Sequence, residues 1–333
     1  MPMIDFDIKK NMPAFAYYYA NYYTKVRKMD KINDILVVKK LISNYYDAIL
    51  FMAHLKKSFV MELRNGKRIQ IKSIDAYKNF WESEEALAFR LNTLKTKGYR
   101  IDIDKKSTII KIEKFGKKIK FFYGELKQAF NTLGMIEENF CNEQYASLNI
   151  EGKDVVDIGA NIGDSAIYFA LKGAKHVYAF EPYPYSYNLA KRNVELNNLN
   201  NKITMLNEGC GKSRFVNIRD ETKNYGGTDL KSFKNGKKIK ILSLDGIVEK
   251  FKLRNATLKI DCEGCEYATI LNAKNDTLSK FDKIIIEYHY GYKNLEKKLK
   301  DAGFKVRHTA PRYFYNTDAE NKNMYLGLII CLY

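Results

Sequence analysis

Cysteine is scarce in this chain and poorly spaced for cross-linking. The five residues, Cys141, Cys210, Cys262, Cys265 and Cys331, form an odd and scattered set. That excludes a disulfide framework and favours a reducing, cytoplasmic location. No stretch approaches the roughly eighteen uninterrupted apolar residues that cross a bilayer, so no transmembrane helix is expected. The opening MPMIDFDIKKNMPAF has no basic segment leading into an apolar run, and no secretory signal is expected. There is no internal repeat, no low-complexity tract and no Arg-rich tract.

What is present suits a folded protein of two domains. The chain has 333 residues, 46% of them hydrophobic, which is enough for a sizeable core. Charged residues are 29%, near the globular average, so disorder is not indicated. The balance is basic: 57 Lys and Arg against 39 Asp and Glu, a formal charge of +18. Such a field attracts polyanions, so nucleic acid stays open as a partner. The plainer reading, a solvated Lys-rich surface, stands beside it because the cations are spread along the chain. Oligomeric state is not legible.

The hydrophobic pattern changes twice. Residues 14–60 carry a helical period, with Tyr17, Tyr18, Tyr22 and Tyr23 on recurring positions. That stripe reads as an amphipathic core face before it reads as a stacking platform. Around residue 60 the period falls to two, and Asn65-Gly66 between two alternating runs predicts a hairpin. A helix over 81–94 and strands at 99–103, 108–114 and 118–123 complete a small α+β module, residues 1–125. It carries no Cys/His cluster and no phosphate loop, and its role is not readable.

From residue 126 to 333, short apolar strands alternate with helices. Strands are expected at 154–158, 176–180, 203–207, 258–260 and 283–287. Helices are expected at 164–172, 185–197, 264–273 and 293–302. The pattern predicts an α/β, Rossmann-like, mostly parallel sheet with helices on both faces. Strands at 305–309 and 324–332 would close it. Residues 214–244 interrupt the alternation as a β-rich insertion with its tip at Tyr225-Gly-Gly-Thr-Asp.

The most informative segment is Asp154-Val-Val-Asp-Ile-Gly-Ala-Asn-Ile-Gly-Asp-Ser. A buried strand enters a turn with glycines at 159 and 163, and a helix starts near Asp164. Glycines permit a sharp turn and close approach to a ligand, and the helix start offers free N–H groups. The G-x-x-x-G spacing differs from the G-x-G-x-x-G of dinucleotide sites. Asp157, just before the first glycine, is awkward beside a pyrophosphate but suits a ligand with an amino group, such as the methionine end of S-adenosylmethionine. The second strand ends in Phe180-Glu181-Pro182. An acid there, about twenty residues past the glycines, is placed to accept from two ribose hydroxyls. The alternative is a structural turn followed by an unrelated surface acid.

With these residues in view, the sequence resembles the FkbM-type methyltransferases, within the class I Rossmann-like methyltransferases, over residues 135–333. The resemblance rests on VVDIGANIGDSAIYFA (155–170), VYAFEPYPYSYNLAKRNVELNN (177–198), ILSLDGIV (241–248), LKIDCEGCEYATILNA (258–273) and IIIEYH (284–289). It implies S-adenosylmethionine as cofactor and O-methylation of a hydroxyl on a sugar, glycolipid or other small metabolite. It further implies that Asp157, Gly159, Asn161 and Gly163 hold the methionine end and Glu181 the ribose. Asn207 and Glu208 are candidates to flank the adenine. Asp261 and Glu263 would face the methyl group. Cys262 and Cys265 depart from the family, where small apolar residues are usual. One C-x-x-C pair supplies two ligands where structural zinc needs four, so the cysteines are expected to pack and no metal is expected.

A hydroxyl acceptor needs a base. The candidates are Asp261, Glu263, Glu266, Glu287 and His289. Strand alternation points Glu287 and His289 the same way, and His289, with an ordinary pKa near 6.5, is favoured. Two other functions remain in view. The basic surface and the N-terminal module suit a tRNA or rRNA methyltransferase, although no Asn/Asp-Pro-Pro-Tyr/Phe segment and no RNA-binding motif is present. A catalytically silent binding subunit would keep the fold without the reaction.

Overall fold

The computed structural model describes residues 42–52, 55–218, 236–315 and 323–333. The tyrosine stripe at 17–23 and the Tyr225 tip lie outside the described residues. The chain divides into two compact units, one from residues 1–89 and 313–324, the other from 90–312 and 325–333.

In the first unit, helix α1 (Tyr45–Met52) precedes strands β1 (Phe59–Glu62) and β2 (Arg68–Ile71), paired antiparallel with Glu62 opposite Arg68. The expected Asn-Gly turn joins them, with Gly66 at φ +87°. Two helices follow where one was expected, α2 (Ile74–Trp81) and α3 (Glu84–Thr96). The reason is local: Ser73 and Ser83 each accept a backbone N–H three residues on, from Ala76 and Ala86, so the helix starts twice.

The second unit opens with an antiparallel sheet of β3 (Ile101–Asp104), β4 (Ile109–Lys114) and β5 (Lys117–Phe122). Helix α4 (Leu126–Ile136) then runs into a π-helical turn, Glu137–Cys141. The alternating part follows: β6 (Asp154–Ile158), α5 (Asp164–Leu171), β7 (His176–Phe180), α6 (Pro184–Leu196) and β8 (Ile203–Leu206). A small three-stranded sheet forms from β9 (Gly209–Cys210), β10 (Arg214–Ile218) and β11 (Lys237–Leu242). The chain continues as α7 (Leu244–Phe251), β12 (Ala256–Ile260), α8 (Cys265–Leu271), α9 (Asn275–Leu278) and β13 (Phe281–Tyr288). It closes with α10 (Lys293–Asp301), β14 (Lys305–His308), β15 (Arg312–Tyr315) and β16 (Asn323–Leu332).

The main sheet runs β14-β16-β13-β12-β6-β7-β8. Strands β13, β12, β6, β7 and β8 are parallel, and β16 enters antiparallel beside β13. All five residues of β12 are buried, as a strand covered by helices on both faces must be. Val156, Ile158, Leu258, Ile260, Ile284 and Ile286 build its core. From β6 the chain first moves outward through β7 and β8, then crosses back to place β12 on the other side of β6. The sheet therefore has its switch point between β6 and β12, the crevice where open α/β sheets bind ligands.

The β3–β5 sheet is hydrogen-bonded to α6. Asn193, fully buried, accepts the Phe122 N–H at 2.7 Å and donates to the Ile162 carbonyl at 2.9 Å. Asn197 accepts from Lys120 N at 2.9 Å and donates to its carbonyl at 2.7 Å. Replacing Asn193 by Ala strands two buried backbone groups, and chemical denaturation should show a loss of roughly 2–3 kcal/mol. A change under about 0.5 kcal/mol would show that this clamp is not needed.

Candidate active site

The loop after β6 is tied to its neighbours by backbone contacts. Gly159 N and Ala160 N both donate to the Phe180 carbonyl at 3.0 Å. Gly159 (φ +80°) has a steric reason to be glycine: a Cβ there would sit 1.8 Å from the Asp261 carbonyl oxygen at the tip of β12. Gly163 (φ +83°) packs against α6, where a Cβ would lie 3.2 Å from Ala190 Cα. Both glycines thus serve close packing of protein on protein. Glu181 is buried, and its two carboxylate oxygens accept Asn161 N and Tyr183 N, each at 2.9 Å. Burial raises its pKa to about 7, against the pull of those two amides.

Asp157 lies beneath this loop. It is fully buried, with one oxygen 2.9 Å from Lys259 Nζ and the other accepting the Ser165 hydroxyl at 2.6 Å. Lys259 Nζ also donates to the Gly159 carbonyl at 2.9 Å. The adjacent register of β6 and β12, Asp157 beside Lys259, creates the pair. Burial disfavours the Lys259 ammonium, but Asp157, Asp261 and Asp164 outweigh it and raise its pKa. Asp157, expected to face a ligand's amino group, meets Lys259 and Ser165 within the protein. Asp164, the first residue of α5, is buried too, and burial lifts its pKa to about 7. Asn139, in the π-helical turn, donates to it.

Near the end of β7, Asn207 donates to the carbonyls of Glu181 and Pro182 at 3.0 and 3.1 Å. Glu208 pairs instead with Lys250 at 3.1 Å. Among the described residues, Asn161 Oδ1 and Asn207 Oδ1 are buried acceptors without a hydrogen bond. Such acceptors, on the two sides of Glu181 along the chain, fit a ligand that brings N–H groups.

The tips of β12 and β13 carry a second cluster. His289 is buried, with Nε2 3.2 Å from Glu263 and 3.9 Å from Asp261. Its Nδ1 and its backbone N–H both lie 3.0 Å from Glu266 Oε1. Glu266 is fully buried, and its other oxygen accepts Gly264 N at 2.8 Å. Burial works against a charged imidazole, but the Glu263 and Glu266 carboxylates prevail and hold its pKa well above the ordinary value. His289, the base favoured from the sequence, thus stands among three carboxylates, Asp261, Glu263 and Glu266. Glu287 is half-buried on β13. Tyr145, missed by sequence reasoning, lies among these acids. Burial first, then Asp261, Asp157, Glu287 and Asp164, raise its pKa well above the ordinary value.

Cys262 and Cys265 form a disulfide with Cα atoms 5.5 Å apart. This corrects the expectation of two packed thiols. Glu263 at φ +58° and Gly264 at φ +126° fold the chain back between them, so the bond closes within one turn. Cys141, Cys210 and Cys331 are buried thiols.

Residues 157–306 match the methyltransferase FkbM domain. The cofactor of such a domain is S-adenosylmethionine. Every site residue expected from the sequence, from Asp157 to His289, falls within the matched stretch. The chain is 42% identical over 55 residues to a ribosomal protein L11 methyltransferase of Carboxydothermus hydrogenoformans, 16% of this chain and 18% of that one. The chain thus spans about a fifth of that relative. Two solved structures resemble it more distantly. One is M. capricolum TrmK in complex with S-adenosyl-homocysteine (17% identity, TM-score 0.36, 58% of this chain and 67% of that one). The other is the M. jannaschii tRNA m1G37 methyltransferase (13% identity, TM-score 0.37, 68% and 58%).

Two outcomes test this geometry. Lys259→Met leaves Asp157 charged and buried without its partner, and should cost about 3–5 kcal/mol. Adding Asp157→Asn should restore part of that loss, and full additivity of the two changes in denaturation would refute the pairing. The second outcome concerns pH. Glu181 has a raised folded pKa, so its contribution to stability is complete below the unfolded value of 4.5 and is lost as pH rises to about 7. Between pH 5 and 8, Glu181→Gln should therefore lose less stability than the parent. Equal pH slopes for the two proteins would contradict this.

Proposed function

We propose that this chain is an S-adenosylmethionine-dependent methyltransferase acting on a hydroxyl of a sugar, glycolipid or other small metabolite. The observation that carries the reading is the contact between the two clusters. Asp261 N donates to the Ile158 carbonyl at 3.0 Å, and Gly159 has no room for a Cβ against the Asp261 carbonyl. A loop suited to a nucleoside and a set of acids suited to the reacting groups thus meet at the switch point of the sheet.

In this reading Glu181 accepts the ribose hydroxyls, and Asn161 Oδ1 takes an N–H of the methionine ammonium. Asn207 serves the adenine, with Glu208 beside it. Asp157 and Lys259 act from below by holding the Gly159 carbonyl, and Gly163 sets the start of α5. The cofactor supplies an electrophilic methyl on a sulfonium. The protein's part is to align the acceptor with it, and alignment alone lowers a barrier by several kcal/mol. The acceptor's proton goes to a carboxylate, Asp261 or Glu263, both partly exposed, with Glu287 on the adjoining strand. His289, with Nε2 3.2 Å from Glu263 and 3.9 Å from Asp261, is a further candidate for that base. Among the described residues no helix is long and apolar enough to cross a membrane. A cytoplasmic location belongs to the same proposal, and there the Cys262–Cys265 bond would be open to reduction.

The charge of +18 favours a second reading, in which the acceptor is RNA. One assay separates them: labelled S-adenosylmethionine against glycan, lipid and RNA pools of a host extract. Label in glycan or lipid supports the first reading, and label confined to RNA replaces it with the second. Calorimetry with S-adenosylmethionine should show binding that Glu181→Gln weakens about tenfold to a hundredfold, the worth of a charge-assisted hydrogen bond. Absence of binding would make the chain a silent binding subunit.

A further inference from the structure

The geometry points to a divalent metal site formed by Asp261, Glu263 and His289 at the tips of β12 and β13. Its place beside the nucleoside loop would let the ion bind an acceptor oxygen. That role rests on the methyltransferase reading; the site itself does not.

Three features of the cluster fit an ion. The ligand atoms of the three residues all lie within 4.8 Å of one another. An octahedral ion with bonds of about 2.1 Å places neighbouring ligand atoms about 3.0 Å apart and opposite ones about 4.2 Å apart. The observed Nε2 separations, 3.2 Å to Glu263 and 3.9 Å to Asp261, lie in that range. Small side-chain adjustments bring all three atoms onto one centre.

The imidazole is also oriented as metal-binding histidines are. Glu266, fully buried, receives the Nδ1 hydrogen, which leaves Nε2 directed at the two carboxylates. A carboxylate behind the imidazole fixes its tautomer and raises its strength as a ligand. Glu266 is itself held by Gly264 N and His289 N. It is a positioning residue and touches no metal.

The third feature is the gradient of exposure. His289 is 3% exposed on its side chain, whereas Asp261 and Glu263 are 28% and 36% exposed. One side of the cluster is closed by protein and the other is open. Three protein ligands with an open face leave coordination positions for water or an acceptor oxygen, the plan of catalytic metal sites. One imidazole and two carboxylates suit manganese, iron(II), zinc or magnesium better than a soft ion. On loading, Nε2 gives its proton to solvent, and the ion's charge replaces it between the carboxylates. A hydroxyl bound to that ion would lose its proton more readily.

The test is Mn2+ binding to the whole chain, followed by electron paramagnetic resonance without cofactor or acceptor. We expect one tight ion per chain, with spin-echo modulation from a directly bound imidazole nitrogen. Glu263→Gln, on the exposed side, should weaken binding at least about tenfold, and Glu266→Gln by about tenfold to a hundredfold through loss of orientation. Circular dichroism shows whether each variant folds, and the nitrogen signal of the parent needs no variant at all. No tight ion, or a bound ion without nitrogen modulation, overturns the site. Because calorimetry with S-adenosylmethionine is a separate measurement, failure of the metal site and failure of the methyltransferase reading are distinguishable.

Discussion

The buried pair of Asp157 and Lys259 is the constraint on which the rest of the site depends. Two charges side by side on adjacent parallel strands, both out of water, are costly unless every oxygen and hydrogen is used. Here Ser165 takes the second oxygen of Asp157, and the Gly159 carbonyl takes a second hydrogen of Lys259. The pair thereby links β6, β12, the glycine loop and the first turn of α5. A buried ion pair of this kind adds little net stability against an apolar substitute, but breaking one side is severe. Its contribution here is positional: it sets the height of the Gly159 turn relative to the tip of β12.

That positioning brings two sets of acids together without merging them. Glu181 and Asp164 are pushed toward neutral pKa values by burial first, with the nearby Asp157 charge adding to it. The Asp261, Glu263 and Glu266 set faces a single imidazole, whose pKa Glu263 and Glu266 raise against its burial. The same residue types therefore do different work a few residues apart, because one set is surrounded by backbone amides and the other faces an imidazole. The disulfide between Cys262 and Cys265 closes the turn that presents Glu263, and both cysteines also pack against the core of the sheet.

Much of the second unit was legible in the residues. The strands at 154–158 and 176–180 fall where the apolar runs predicted them, since a strand covered on both faces leaves a continuous hydrophobic run. Glu181 was visible because an acid ends an apolar strand after the glycine turn. Other features had no one-dimensional signal. The π-helical turn that brings Asn139 to Asp164 looks like ordinary helix in sequence. The attachment of the β3–β5 sheet depends on Asn193 and Asn197, which are unremarkable polar residues on a helix until their partners, 71 and 77 positions away, are known. Tyr145 is one tyrosine among twenty-five.

By itself the sequence determined the alternation of strand and helix, the glycine loop with an acid at the end of the next strand, and the resemblance to FkbM methyltransferases. These depend on local spacing and period, which the chain carries directly. The tertiary structure alone decided which charges neutralise which. It turned Asp157 inward to Lys259, set His289 against Glu266, and closed the cysteine pair. Those outcomes depend on strand order and register across a hundred residues, because electrostatic partners are set by distance in space and by burial.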